Sequence, residues 1–92
     1  MVKNLYSKAM EVYSVQVEYT GQRPSEDWKN HTLWSTFEGA RRGLKEERDG
    51  ILQDKTWLKN ENCIEIDEED HFCAGDDDES YEITIIKETV HE

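Results

Sequence analysis

The distribution of charge is the feature that most constrains this chain. Residues 61–92 hold 13 acidic side chains and a single base, Lys87, whereas residues 1–60 hold 9 acidic and 10 basic side chains. The net charge of −11 therefore combines a C-terminal third at −12 with a preceding segment at +1. Carboxylates are almost never fully buried without a partner, so the last third must leave most of them in solvent.

The apolar content permits only a small core. Hydrophobic residues make up 35% of the 92 residues, which is low for a globular domain. Nine aromatic residues offset part of this deficit, because each can bury roughly 150–250 Å² of surface. We therefore expect one domain with an aromatic-rich core.

Alternation of apolar and polar residues predicts four strands. They cover residues 11–20, 32–34, 63–67 and 81–87. In the last two strands we expect Ile64, Ile66, Ile83 and Ile85 to face the core, so that Glu65, Asp67, Glu82 and Thr84 face solvent.

The segments between these strands are predicted from their turn residues and polarity. Residues 20–27, with Gly21 and Pro24, are predicted to form a loop, and Trp28 follows it in a polar setting. Residues 68–80 are predicted to be a long acidic loop. The pattern of residues 1–10 fits either a short helix or an irregular lead-in.

A helix is predicted to begin after Ser35, whose side chain would form a capping box with Glu38. The helix should end near residue 49, where Gly50 acts as a stop. Its apolar stripe is formed by Phe37, Ala40, Leu44 and Ile51. After it, Ile51, Leu52, Trp57 and Leu58 are expected to contribute to the core.

A second face of this helix carries basic residues, and a third face carries glycines. Arg41, Lys45 and Arg48 recur at helical spacing, with Arg42 beside them, and Gly39 and Gly43 lie four residues apart. The glycines would permit close approach to a sheet. The basic face has three interpretations: it pairs with the acidic loop of its own chain, pairs with that of a second copy, or is solvated.

The element order is therefore β(β)αββ, which predicts an α+β fold. One amphipathic helix would pack on one face of a small antiparallel sheet of three to four strands. Within this single domain, residues 1–60 would form a near-neutral body and residues 61–92 an acidic C-terminal β-hairpin.

The sequence contains none of the common catalytic motifs, so we predict that the protein is not an enzyme and uses no cofactor. Cys73 with His71 or His31 is the remaining candidate for a nucleophilic pair. Cys63, His71 and Cys73 could supply three zinc ligands, although their spacing matches no common zinc module. The four consecutive acids at residues 76–79 are a candidate calcium-binding site, but consecutive acids do not have the ligand spacing of an EF-hand loop.

The acidic hairpin is the predicted partner-binding site. Regularly spaced carboxylates on a strand, about 6.6–6.8 Å apart on one face, could compete for the Lys and Arg side chains with which proteins contact DNA phosphates. Trp28 is added as an exposed aromatic anchor. The predicted binding residues are Glu65, Asp67, Glu68, Glu69, Asp70, Asp76, Asp77, Asp78, Glu79, Glu82 and Trp28.

The combination of small size, acidity and missing catalytic motifs resembles the small acidic proteins that viruses of bacteria make to block host enzymes. That class includes DNA mimics and inhibitors of defence nucleases. The resemblance implies a non-enzymatic anti-defence inhibitor that binds a basic, nucleic-acid-binding surface of a nuclease, polymerase or similar protein.

Two alternatives accompany this prediction. One is a self-associating structural or regulatory subunit, such as a homodimer, and the other is a metal-binding protein that uses Cys63, His71 and Cys73 or residues 76–79. The negative charge argues against binding nucleic acid or an anionic membrane directly, although residues 41–48 could touch a phosphate. Because the sequence shows no membrane span and no signal-peptide pattern, we expect a cytoplasmic protein, in the host cytoplasm if it is viral.

Overall fold

The computed structural model describes residues 9–91, which form a five-stranded antiparallel sheet with one long helix packed on it. The strands are β1 (Ala9–Thr20), β2 (Trp28–Trp34), β3 (Ile64–Asp67), β4 (His71–Gly75) and β5 (Ser80–His91). The helices are α1 (Phe37–Asp54) and the single turn α2 (Trp57–Asn60). The predicted α+β class, with a helix on an antiparallel sheet, is confirmed.

The sheet order β2-β1-β5-β4-β3 places the acidic third inside the sheet. β5 pairs with β1 over its whole length, from Ala9 opposite His91 to Thr20 opposite Ser80. The two segments that differ so strongly in charge therefore share their longest strand pairing. The interpretation of residues 1–10 falls outside the described residues, apart from Ala9 and Met10, which begin β1.

The core lies between α1 and the face of the sheet that carries the odd-numbered residues of β1 and β5. Ile51, Leu52 and Trp57 are half-buried against this core, and Leu58 is fully buried, which confirms their predicted contribution. The buried apolar side chains are Val15, Val17, Ala40, Leu44, Leu58, Phe72, Ala74, Tyr81 and Ile83. Among residues 9–91, no helix has the length and apolar character required to cross a bilayer.

The prediction of a single loop over residues 68–80 is wrong, because β4 lies within it. β4 pairs with β3 on one side and with β5 on the other. Phe72 and Ala74 point into the core and are both fully buried, and this burial holds the segment in the sheet. The C-terminal third therefore forms two consecutive hairpins rather than one.

The prediction that Glu65 and Asp67 face the same way is also wrong. The pairing of β3 with β4 shifts register between Ile64 and Ile66, and such a bulge changes which side the following residues face. Glu65 lies near Cys73 on the helix-free face of the sheet, whereas Asp67 reaches α1.

The bounds of α1 differ from the prediction at both ends. Thr36, not Ser35, is the N-cap, and its side chain accepts a hydrogen bond of 3.0 Å from the backbone N–H of Gly39. The helix continues past Gly50 to Asp54. Burial of Ile51 and Leu52 against the core outweighs the cost of a helical glycine, which is roughly 1 kcal/mol.

The two predicted small residues of α1 accommodate a tryptophan. Gly39 and Gly43 lie against the Trp34 indole, where added Cβ atoms would come within 3.1 and 2.6 Å of ring atoms. Trp34 is half-buried and packs on the core, and its Nε1 donates a 2.8 Å hydrogen bond to Thr32 Oγ1. The predicted close approach is therefore made to a side chain of β2.

The second strand is longer than predicted. β2 spans Trp28–Trp34 instead of residues 32–34 alone, so Trp28 is the first residue of this strand. Register explains the extension, because Trp28 lies directly opposite Tyr19 of β1. Within the preceding loop, Pro24–Glu26 forms one 3-10 turn.

Candidate acidic interaction surface

Nine of the 13 acidic residues of the C-terminal third lie on edge strand β3 and in the turns at both ends of β4. Residues 68–70 form the β3–β4 turn and residues 76–79 form the β4–β5 turn. Because β4 has five residues, the two turns are about 17 Å apart. We call this surface the acidic edge, and it comprises Glu65, Asp67, Glu68, Glu69, Asp70, Asp76, Asp77, Asp78 and Glu79.

The β4–β5 turn is organised by its own acids. Asp76 Oδ1 accepts hydrogen bonds from the backbone N–H groups of Asp78 and Glu79, at 2.8 and 3.0 Å. The backbone N–H of Asp76 donates to the carbonyl oxygen of Glu79 at 2.9 Å. These bonds fix the turn, so Asp77 and Asp78 project from a defined backbone.

The β3–β4 turn is tied to the basic face of α1. Arg48 Nη1 contacts Asp67 Oδ1 at 3.1 Å, and Arg41 forms an ion pair with Glu69. Of the three interpretations of the basic face, pairing within the chain is correct for these two arginines. Arg42 and Lys45 are exposed and make no ion pair with any residue in the range 9–91.

These pairs divide the predicted binding residues into two groups. Glu79 lies 3.9 Å from Lys55, and Glu82, on the helix-free face of β5, lies 2.7 Å from His71 Nε2, so these acids join Asp67 and Glu69 as partnered groups. The others are exposed and have no basic partner among the residues that the structure describes. They are Glu65, Glu68, Asp70, Asp76, Asp77 and Asp78.

Trp28 is exposed, but it does not join this surface. Its indole is 46% exposed and stacks on Tyr19, with ring centroids 5.8 Å apart and planes at 18°. Tyr19 in turn lies 5.0 Å from the ring of Tyr81. β2 is the opposite edge of the sheet from β3, about 19 Å away across four interstrand spacings.

Sequence reasoning missed the aromatic row that these three rings form. The signal was present, because alternation in β1 and β5 already placed Tyr19 and Tyr81 on the helix side of the sheet. What was missing was the extension of β2, which brings Trp28 into register with them.

The candidate catalytic and metal-binding residues are not assembled into a site. His71 Nε2 lies 2.7 Å from a Glu82 carboxylate oxygen, while Cys73 Sγ lies 3.9 Å from Glu65 Oε2. His31 is on β2, three strands from Cys73. In residues 9–91, no group of three or more His, Cys, Asp or Glu side chains is placed to hold a metal ion.

The electrostatics of both free cysteines oppose nucleophilic chemistry. Burial, followed by the nearby carboxylates of Glu65 and Glu82, raises the pKa of the Cys73 thiol. Burial, then Glu61 and Asp76, raises the pKa of Cys63. Because the thiolate is the reactive form, both thiols are poor nucleophiles at neutral pH.

Alkaline pH should destabilise the protein through the aromatic row. Burial raises the pKa of Tyr81, with further contributions from Glu79, Tyr19 and Asp54, and burial followed by Glu79 raises the pKa of Tyr19. The neutral phenols are therefore favoured in the fold. Their contribution is complete below the unfolded pKa of about 10 and is lost as pH rises through the higher folded pKa.

We therefore expect the melting temperature, measured by circular dichroism, to fall as the pH rises above about 10. The absorbance change at 295 nm should titrate at higher pH in the native protein than in the denatured protein. Tyr81→Phe should reduce the pH dependence, because phenylalanine has no ionisable group. A melting temperature equally pH-dependent in Tyr81→Phe would contradict this assignment.

Comparison with known proteins gives no relative from which function could be inferred. No protein-family model matches the chain, and neither a curated protein nor a solved structure matches it significantly. The geometry and charge of the acidic edge are therefore the features from which a function can be inferred.

Proposed function

We propose that this protein is a non-enzymatic inhibitor that acts as a DNA mimic. Its acidic edge would dock on the basic, nucleic-acid-binding surface of a nuclease, polymerase or similar protein and occlude it. The observation that carries this proposal is the set of six exposed carboxylates that have no basic partner within residues 9–91. We assign its action to the cytoplasm, which would be the host cytoplasm if the protein serves a virus against bacterial defence.

The physical basis is competition for cations that normally contact phosphates. Lys and Arg side chains supply much of the contact between proteins and the DNA backbone. Two acidic turns about 17 Å apart, at the two ends of β4 and beside the acidic edge strand β3, offer such side chains several carboxylates at once. The concentrated negative field would also accelerate encounter with a basic partner, in a salt-dependent manner.

Two features favour binding over a merely solvated acidic surface. Solubility requires only dispersed charge, whereas here the acids repel one another along one edge. The turns are also held in place, by Asp76 in one case and by α1 arginines in the other. A fixed arrangement loses less entropy when it binds than a flexible acidic tail would.

Pairing of Arg41 and Arg48 within the chain counts against self-association between basic and acidic faces. A homodimer of that kind would have to break both pairs or rely on Arg42 and Lys45 alone. Sedimentation at 50 and 500 mM NaCl would separate the two proposals, because a salt-insensitive monomer is inconsistent with a dimer formed by charge.

The direct test compares two double variants that each remove two negative charges. Asp77→Asn with Asp78→Asn changes the acidic edge, and Glu11→Gln with Glu88→Gln changes exposed acids on β1 and β5, far from that edge. Immobilised protein would first capture a nuclease or polymerase at low salt, with elution by duplex DNA. We expect the edge variant to associate with the captured enzyme about threefold to tenfold more slowly and the control variant to match the wild type.

Inhibition of the captured enzyme on DNA should weaken in parallel. Within the described residues, the side-chain carboxylates of Asp77 and Asp78 accept no hydrogen bond, because the turn is held by Asp76. The edge variant should therefore retain its fold, which circular dichroism would verify. Equal association rates and equal salt dependence for both double variants would contradict the proposed function.

A further inference from the structure

A groove beside Trp28 starts at β2, the edge of the sheet opposite β3, and ends at Lys55, close to the β4–β5 turn. It has a volume of about 430 Å³ and runs between β2 and the C-terminal half of α1. This size falls within the roughly 300–1,000 Å³ of typical small-ligand sites. We call it the Trp groove, and its principal lining residues are Trp28, Tyr81, Glu46, Glu47, Gly50 and Asp54.

One wall of the Trp groove is aromatic. The Trp28 indole is braced by its stacking on Tyr19 and remains 46% exposed. An exposed, braced indole is costly to leave in water and is the best aromatic surface for a cation. The ring of Tyr81 continues the wall toward the centre of the sheet.

The facing wall is acidic. Glu46, Glu47 and Asp54 come from α1, and none of them makes an ion pair with a residue between positions 9 and 91. Lys55 lies at the end of the groove, where its Nζ is 3.9 Å from Glu79 Oε1. That oxygen is buried and has no hydrogen-bond partner among the described residues. The charged lining of the groove therefore consists of three acids, Glu46, Glu47 and Asp54, and one base, Lys55, which is drawn toward Glu79.

From this combination we propose that the Trp groove binds an arginine side chain of a partner protein. A guanidinium stacks on an indole through its flat face and donates paired hydrogen bonds to carboxylates through its edge. An ammonium group lacks the flat face, and a neutral apolar side chain would desolvate the carboxylates without pairing them. This assignment does not depend on the proposed function, because the acidic edge contributes only Glu79 to the surroundings of the groove, and within residues 9–91 that carboxylate is partnered by Lys55.

Gly50 provides a way to close the groove without disturbing the core. It lies within α1, and a Cβ added there would meet no atom within 4 Å. Gly50→Gln should therefore extend an uncharged side chain into open space and obstruct the groove. Lys55→Gln should have the opposite effect on binding, because it removes a positive charge that would repel the incoming guanidinium.

The test uses amide and indole NMR shifts of the full chain titrated with a blocked Gly-Arg-Gly-Arg-Gly peptide. We expect saturable shifts at the Trp28 indole N–H and the Gly50 amide. A matched peptide with lysine in place of both arginines should bind more weakly. A matched peptide with citrulline in place of both arginines should not bind, because citrulline has nearly the shape of arginine but no charge. Trp28→Ala and Gly50→Gln should each weaken binding about threefold to tenfold.

Lys55→Gln should strengthen binding roughly twofold to fivefold, a gain that loss of structure could not produce. The double variant Glu11→Gln with Glu88→Gln serves as the charge control and should bind as the wild type does. The proposal is overturned if the shifts fall only on the two acidic turns, if the citrulline peptide binds equally well, or if Gly50→Gln leaves binding unchanged.

Discussion

Phe72→Ala should lower the free energy of unfolding by about 3–5 kcal/mol, the range measured for truncating buried phenylalanines. Phe72 is the largest fully buried side chain in the described structure, and it is the second residue of β4. A domain of this size has a total stability of only about 5–14 kcal/mol, so the variant should be marginally folded. Urea denaturation followed by tryptophan fluorescence would measure the change.

Phe37→Ala is the matched control for this substitution. The Phe37 ring is 39% exposed and makes an edge contact with Tyr13 at 5.7 Å, so its removal should cost less than about 1.5 kcal/mol. If Phe72→Ala does not fold, Phe72→Leu keeps the site apolar and should cost about 1.5 kcal/mol or less. Equal costs for the two alanine variants would mean that residues 71–75 are not a core strand.

The position of Phe72 shows where sequence reasoning reaches its limit. The long strands β1 and β5 were predictable, because each repeats its apolar residues with period two over several positions. β4 has only Phe72 and Ala74 as inward residues, and acidic runs flank it on both sides. Two apolar positions do not establish a period, and the burial that makes this segment a strand depends on β3 and β5 on either side.

The acidic surface was predictable in composition but not in arrangement. Counting charges located it in the last third of the chain. Which acids remain unpaired depends on contacts across long sequence separations, such as Arg48 with Asp67 and Arg41 with Glu69. The bulge in β3, which turns Asp67 toward the helix, leaves no recognisable mark in a four-residue strand.

The same substitution at two glycines of α1 should have opposite effects. Gly43→Ala should lower stability by about 1–3 kcal/mol, because the new Cβ would lie 2.6 Å from the Trp34 ring. The indole has little freedom to move away, since its N–H is bonded to Thr32. Gly50→Ala should raise stability by about 0.5–1 kcal/mol, because that Cβ meets open space and alanine favours the helix.

Thermal melts would separate the two variants clearly, because 1 kcal/mol corresponds to about 4–8 °C in a domain of this size. A double variant identifies the cause. Trp34→Phe replaces the indole with a smaller ring, so Gly43→Ala should cost less in that background than in the wild type. If Gly43→Ala costs the same in both backgrounds, the small residues of α1 are not there to admit Trp34. A reduced cost would establish that this helix has two distinct glycine positions, one required by packing against β2 and one, beside the Trp groove, that leaves space open.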